Sequence, residues 1–181
     1  MVTLSQNYFE LFGLPVTFII DSSALAQRYR ELQAVVHPDR YANASAQEQR
    51  LSLQQATLVN EAYQTLKDPV RRAQYLLAEH GIDMRPDQET TKDTAFLMEQ
   101  LMLREELENA RHADDPVTVL NELMDRVAQM IKTLVAQMAI QFEDATPEQL
   151  EAARESVRKM QFLNKLHAEA EALEAELEDT C

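Results

Sequence analysis

His37 and Asp39 are the two side chains in this sequence best placed to act together. They stand one residue apart, and an imidazole beside a carboxylate is a familiar general-base arrangement. A base also needs something to activate. No Ser or Cys nucleophile with supporting context can be assigned, and there is no Gly-rich phosphate loop. No Cys or His cluster has metal-ligand spacing, and the single cysteine, Cys181, can form no internal disulfide. His80, His112 and His167 are isolated, and Met124, Met130, Met138 and Met160 read as core filling. The His37–Asp39 pair therefore reads as a contact. The chain is expected to have no catalytic residue, no cofactor and no metal of its own.

Pro38 decides how that contact is presented. Its ring fixes φ, removes a donor and drives His37 out of the helical region. A basic amphipathic run, Ser23 to Val36, precedes it, and a longer helical run, roughly Ala44 to Lys67, follows. The local expectation is a helical hairpin with a rigid, charged tip. In the first run Leu25, Tyr29, Leu32 and Val36 make one stripe, capped by Asp21 or Ser22. Arg28, Arg30 and Arg40 give its outer side a basic character. They either steer an acidic partner or form an ordinary solvated face. The second run buries Leu53, Ala56, Val59, Ala62, Tyr63 and Leu66 on the same logic.

The remaining elements follow from punctuation. Asn7 to Pro15 is a short apolar helix stopped by Gly13, and Pro69 to His80 is a helix opened by Asp68-Pro69 and closed by Gly81. These are the only two glycines, and so few turn residues argue for an all-α chain. Residues 82–92 are polar, contain Pro86 and read as a linker, giving domains at 1–81 and 93–181.

Charge divides at the same place. Residues 1–81 carry 7 Lys and Arg against 8 Asp and Glu, whereas residues 82–181 carry 10 against 23. A chain of net charge −14 without a large basic patch is a poor ligand for nucleic acid. With no apolar leader and no long apolar run, neither secretion nor a membrane span is expected, and a cytoplasmic location fits.

The second half reads as a three-helix bundle. Its first helix runs from Asp93 to about Arg111. The second, opened by Asp115-Pro116, carries the seam Val117, Leu120, Met124, Val127, Ile131, Leu134 and Met138. The third, opened by Thr146-Pro147, has an early stripe of Leu150, Ala153, Val157 and Met160 and a late one from Leu163 to Leu177. The phase changes between them, which allows a bend or a change of partner there. The first helix has more apolar residues than one face needs. Phe96, Leu103, Leu107 and Ala110 suffice to join a bundle, yet Leu97, Met98, Leu101 and Met102 point elsewhere, beside Glu105 and Glu108. Either this second face is an exposed interaction surface, or the helix is buried on both sides.

The N-terminal part resembles a J-domain, the module of DnaJ-type co-chaperones. The resemblance rests on Tyr8 to Leu14, Tyr29 to Val36, the His37-Pro38-Asp39 tip, Val59 to Leu66 and Asp68 to Tyr75, in that order. It extends to the C-terminal bundle through Asp93 to Leu101 and Val157 to Leu163, which resemble the HscB family of iron–sulfur cluster assembly. That likeness implies an L-shaped, two-domain protein. His37, Pro38, Asp39, Arg28, Arg30 and Arg40 would engage the DnaK-type chaperone HscA and stimulate its ATPase. Leu97, Met98, Leu101, Glu105 and Phe162 would bind the cluster scaffold IscU, and Phe162, off both stripes of its helix, would be exposed. Met102 and Asn109 stand where related bacterial proteins can present acidic residues, which implies a smaller electrostatic share in scaffold binding. No cysteine-rich N-terminal extension is seen, so no zinc is implied. The alternatives are a generic J-domain co-chaperone or a helical adaptor with another client; an enzyme built on His37 and Asp39 is a third.

Overall fold

The computed structural model describes residues 7–84, 91 and 93–179, and every regular element among them is helical. The chain divides into two compact units, Met1–Leu76 and Leu77–Cys181. Among the described residues no helix is long and apolar enough to cross a membrane.

The first unit is built on two helices, α2 (Ser22–Val36) and α3 (Ala46–Lys67), after a single turn, α1 (Tyr8–Leu11). Each boundary has a chemical cause. Asn7 caps α1, and Gly13 ends it at φ +64° with the paired Leu14→Phe9 and Gly13→Glu10 hydrogen bonds of a Schellman motif. Asp21 caps α2 through the Ser23 and Ala24 amides. A reciprocal Ser45–Glu48 capping box starts α3. The Tyr29 hydroxyl donates to Asn60 and the Ser52 hydroxyl to the Val36 carbonyl, so α2 and α3 run antiparallel. Tyr29 also stacks on Tyr63 at 4.0 Å.

One turn is too short to stand alone. α1 is held by Phe9, which is fully buried, and by Tyr8, which stacks on Tyr75 at 4.5 Å while its amide donates to the Tyr75 hydroxyl. Tyr75 lies on α4 (Pro69–Glu79), capped by Asp68 and closed by Gly81 at φ +78°. Arg72 on the same helix is buried. Its guanidinium donates to the Leu66 carbonyl and lies over the Phe18 ring, and burial lowers its pKa.

Two expected features of α3 are corrected. Leu53 is 59% exposed, while Ser52 and Gln55 are buried. The inward stripe runs 52, 55, 56, 59, 62 and 66, one residue off the apolar one at its start. Ser52 takes the inner position because its hydroxyl satisfies the Val36 carbonyl at 2.8 Å. Tyr63 is half-buried in its stack on Tyr29.

The second unit contains α5 (Thr94–Ala110), α6 (Pro116–Asp144) and α7 (Pro147–Glu178). Asp93, Asp115 and Thr146 cap them, with Pro116 and Pro147 at the first helical positions. α6 and α7 are antiparallel, tied by Asn121–Glu174 near one end and Gln141–Ser156 near the other. Their core holds Leu120, Val127, Leu134 and Met138 against Leu150, Val157, Met160, Leu163, Leu166 and Leu173. Leu123 joins it from outside the expected seam, and Met124 and Ile131 are only half-buried. Both stripes of α7 are accommodated in one continuous helix.

Ala145, between α6 and α7, adopts the left-handed conformation at φ 46°. A Cβ there costs about 1–2 kcal/mol, against less than about 1 kcal/mol for the greater unfolded-state freedom of glycine. Ala145→Gly should therefore raise stability by roughly 0.5–1 kcal/mol, read as a higher denaturant midpoint at unchanged m-value.

Candidate partner-binding surfaces

The tip between α2 and α3 is a 3-10 turn, Pro38–Tyr41. His37 serves as C-cap of α2 and N-cap of this turn, with extended backbone at φ −59°, ψ 127°. Its Nδ1 accepts from the Asp39 amide at 3.3 Å and lies 3.7 Å from the Asp39 carboxylate. Both side chains face water, Asp39 almost completely at 91%.

A helix ending at a proline leaves carbonyls without partners. Here three side chains supply donors. Arg40 donates to Ala34 O at 2.7 Å, Tyr41 reaches Val35 O at 3.5 Å, and Ser52 closes on Val36 O. The end of α2 is thus satisfied from within the chain, and the tip projects side chains from a braced backbone. The Ser52 bond is the buried one. Ser52→Ala would leave the Val36 carbonyl without it, so a loss of about 1–3 kcal/mol is expected in equilibrium unfolding, with the denaturant midpoint falling accordingly.

The arginines differ in what they do. Arg40 is exposed but committed to the end of α2. Arg28 is exposed and pairs with Glu31 at 3.0 Å, and Glu31 is held below its ordinary pKa by hydrogen bonds from Gln27 and then Arg28. Arg30 is exposed on the same helix. All three arginines can meet a partner, while Arg40 also shapes the tip.

On α5 the inward face is the expected one: Phe96, Leu103, Leu107 and Ala110 are all buried. The opposite face lies open. Met98, Leu101 and Met102 are 58%, 63% and 67% exposed, and Leu97 is half-buried. Burial on both sides is thereby excluded. At 100° per residue these four residues sweep an arc of about 140°, from the flank beside α7 to the flank beside α6. Glu105 and Asn109 are exposed in the same sweep. Toward α6, Met98 and Met102 line an open groove of about 620 Å³ with Phe96 and Leu103, rimmed by Glu99, Glu106, Arg126 and the Asp93–Lys159 pair. Met102 also borders a second groove of about 380 Å³, with Glu105, Asn109 and Val119.

Phe162 departs from its expected exposed placement. It is half-buried in the α5–α7 seam, with its ring edge-on to Phe96 at 5.9 Å and the Arg104 guanidinium 5.3 Å above it. The aromatic pair explains a ring outside both apolar stripes: it faces α5 along the flank, not the α6–α7 core. Among the described residues no group of His, Cys, Asp and Glu could hold a metal ion. Cys181 lies outside the described residues.

Comparison with known proteins gives the same two-part reading. Residues 7–75 match the model of the DnaJ domain, and residues 92–171 match that of the HSCB C-terminal oligomerisation domain. A co-chaperone protein HscB homolog from Shewanella amazonensis is 46% identical over 174 residues, covering 96% of this chain and all of the relative. Among solved structures, chaperone HscB from Vibrio cholerae superposes with a TM-score of 0.86 at 43% identity, over 95% of this chain and 99% of the other. The crystal structure of human co-chaperone protein HscB gives 0.85 at 29% identity, over 94% and 83%.

Proposed function

The chain belongs to the HscB family of J-domain co-chaperones, and on that premise we propose that its two units serve two different partners in iron–sulfur cluster biogenesis. The J-domain tip, His37-Pro38-Asp39 with Arg28, Arg30 and Arg40, engages the DnaK-type chaperone HscA and stimulates its ATPase. The face formed by Leu97, Met98, Leu101, Glu105 and Phe162 receives the scaffold IscU. The chain performs no catalysis, and its place of work is the cytoplasm.

The observation that carries this reading is the exposed apolar arc on α5. A helix that has already buried a complete face gains nothing for folding from three further large apolar residues in water. Such a surface has value only when something covers it. Methionine suits the task because its side chain adapts to the partner's contour. The tip supports the other half. Pro38 and the satisfied end of α2 fix the backbone before binding, which lowers the ordering cost on contact. Covalent connection of the two sites then does further work. A scaffold held by one unit is presented to a chaperone held by the other at a high effective concentration, roughly millimolar for a short linker.

The test is a pair of measurements on the intact chain. Calorimetric titration should show binding of IscU, and added chain should accelerate ATP hydrolysis by HscA. ATPase stimulation without IscU binding would leave a J-domain co-chaperone with another client. Binding of IscU without stimulation would leave an adaptor.

A further inference from the structure

We propose that Arg104 and Lys159 are positioning residues: stacked on Phe162 and Phe96, they lock the aromatic part of the docking face in register with Leu97 and Leu101. This rests on the reading of that face as the scaffold site.

The two helices concerned lie parallel. Asp93–Lys159, Phe96–Phe162, Arg104–Glu169 and Arg111–Glu176 are contacts at a nearly constant offset along the seam. Within it two cations bracket the aromatic pair. Lys159 of α7 lies 5.3 Å from the Phe96 ring centre, and Arg104 of α5 lies 5.3 Å from that of Phe162. Each cation is in turn held by a carboxylate of the opposite side. Lys159 meets Asp93, the cap of α5, at 2.5 Å, and Arg104 meets Glu169 of α7 at 3.6 Å. The Lys159 bond also holds the Asp93 carboxyl below its ordinary pKa. The result is a reciprocal clasp across the seam.

Stability alone is a poor reason for the Arg104 half of this clasp. The Arg104 and Glu169 side chains are 45% and 38% exposed, and pairs of that kind contribute little to folding. What the clasp fixes is geometry. The docking face takes Leu97 and Leu101 from one helix and Phe162 from another, so its shape depends on how α5 and α7 register. An edge-on aromatic pair with a cation over each ring has few alternative arrangements. Binding then need not order the ring at the moment of contact.

The test is a double-mutant cycle read by calorimetric titration of IscU into the full chain. Arg104→Ala should weaken binding about three- to five-fold, the range of one exposed cation–π contact. Arg104→Lys, which keeps a cation above the ring, should recover most of it. In a Phe162→Leu background Arg104→Ala should change nothing further, and the salt dependence of affinity should be the same with and without Arg104. Thermal melts establish that each variant is folded. Additive effects, or a changed salt dependence, would make Arg104 a direct contact and overturn the positioning role. Undiminished binding by Arg104→Ala would overturn it too, with the docking reading intact. Failure of the unsubstituted chain to bind IscU would overturn the docking reading, and the clasp's role with it.

Discussion

His37→Gln is expected to reduce stimulation of the chaperone ATPase by at least about thirty-fold while IscU binding stays unchanged. The size is that of a central interface anchor, about 2 kcal/mol or more. Selectivity follows from where His37 sits. Its side chain is 53% exposed, and its bond from the Asp39 amide is long at 3.3 Å. Folding therefore draws little from it. The brace of the tip lies elsewhere, in Arg40 and Ser52 on the last carbonyls of α2. Glutamine retains a polar side chain there and loses the imidazole, leaving that brace in place. Steady-state ATP hydrolysis with and without the variant reads the effect, beside a thermal melt and an IscU titration. A folded variant that lost both activities together would end the two-surface account.

That the tip could be picked out from residue types alone reflects how locally it is specified. A proline between His37 and Asp39 forces a break wherever it occurs. The helix ends were equally local: Asp21, Asp93, Asp115 and Thr146 cap as their types require, and Gly13 and Gly81 take positive φ. Features set by distant partners were not legible. Leu53 looks like a core residue until Ser52 is seen to reach the Val36 carbonyl sixteen residues away. Leu123 falls outside a three-and-four seam because α6 packs on two neighbours, which broadens its buried stripe beyond the coiled-coil rule. The stack of Tyr8 on Tyr75 and the burial of Arg72 against the Phe18 ring have no periodicity to reveal them. Phe162 is the instructive case for the site. Its place off both stripes suggested exposure, but the seam it occupies is made of cations, carboxylates and a second ring. Hydrophobic patterning is blind to such a seam. Only the surplus of apolar residues on α5 pointed to that side of the bundle.

Replacing Leu97, Met98 and Leu101 together with alanine should weaken IscU binding by at least about a hundred-fold and leave ATPase stimulation by the chain alone intact. Each large apolar side chain fully covered by a partner contributes about 1.5–3 kcal/mol, so two-thirds coverage of three, about 3–6 kcal/mol, exceeds the roughly 2.7 kcal/mol that a hundred-fold requires. The fold should tolerate the change. Met98 and Leu101 already stand mostly in water, and alanine is the strongest helix former, so α5 loses little packing and gains propensity. The buried face, Phe96, Leu103, Leu107 and Ala110, is untouched. Glu105→Gln provides the contrast. An exposed carboxylate acts mainly on encounter rate, so its loss should lower affinity only a few-fold, and less at high salt. Met102 separates the apolar from the electrostatic contribution at one position. It is 67% exposed and borders both grooves, so Met102→Glu exchanges adaptable apolar contact for charge. If apolar cover dominates, that substitution weakens binding at every salt concentration. If charge dominates, it strengthens binding at low salt, and the apolar arc is then not the main source of affinity.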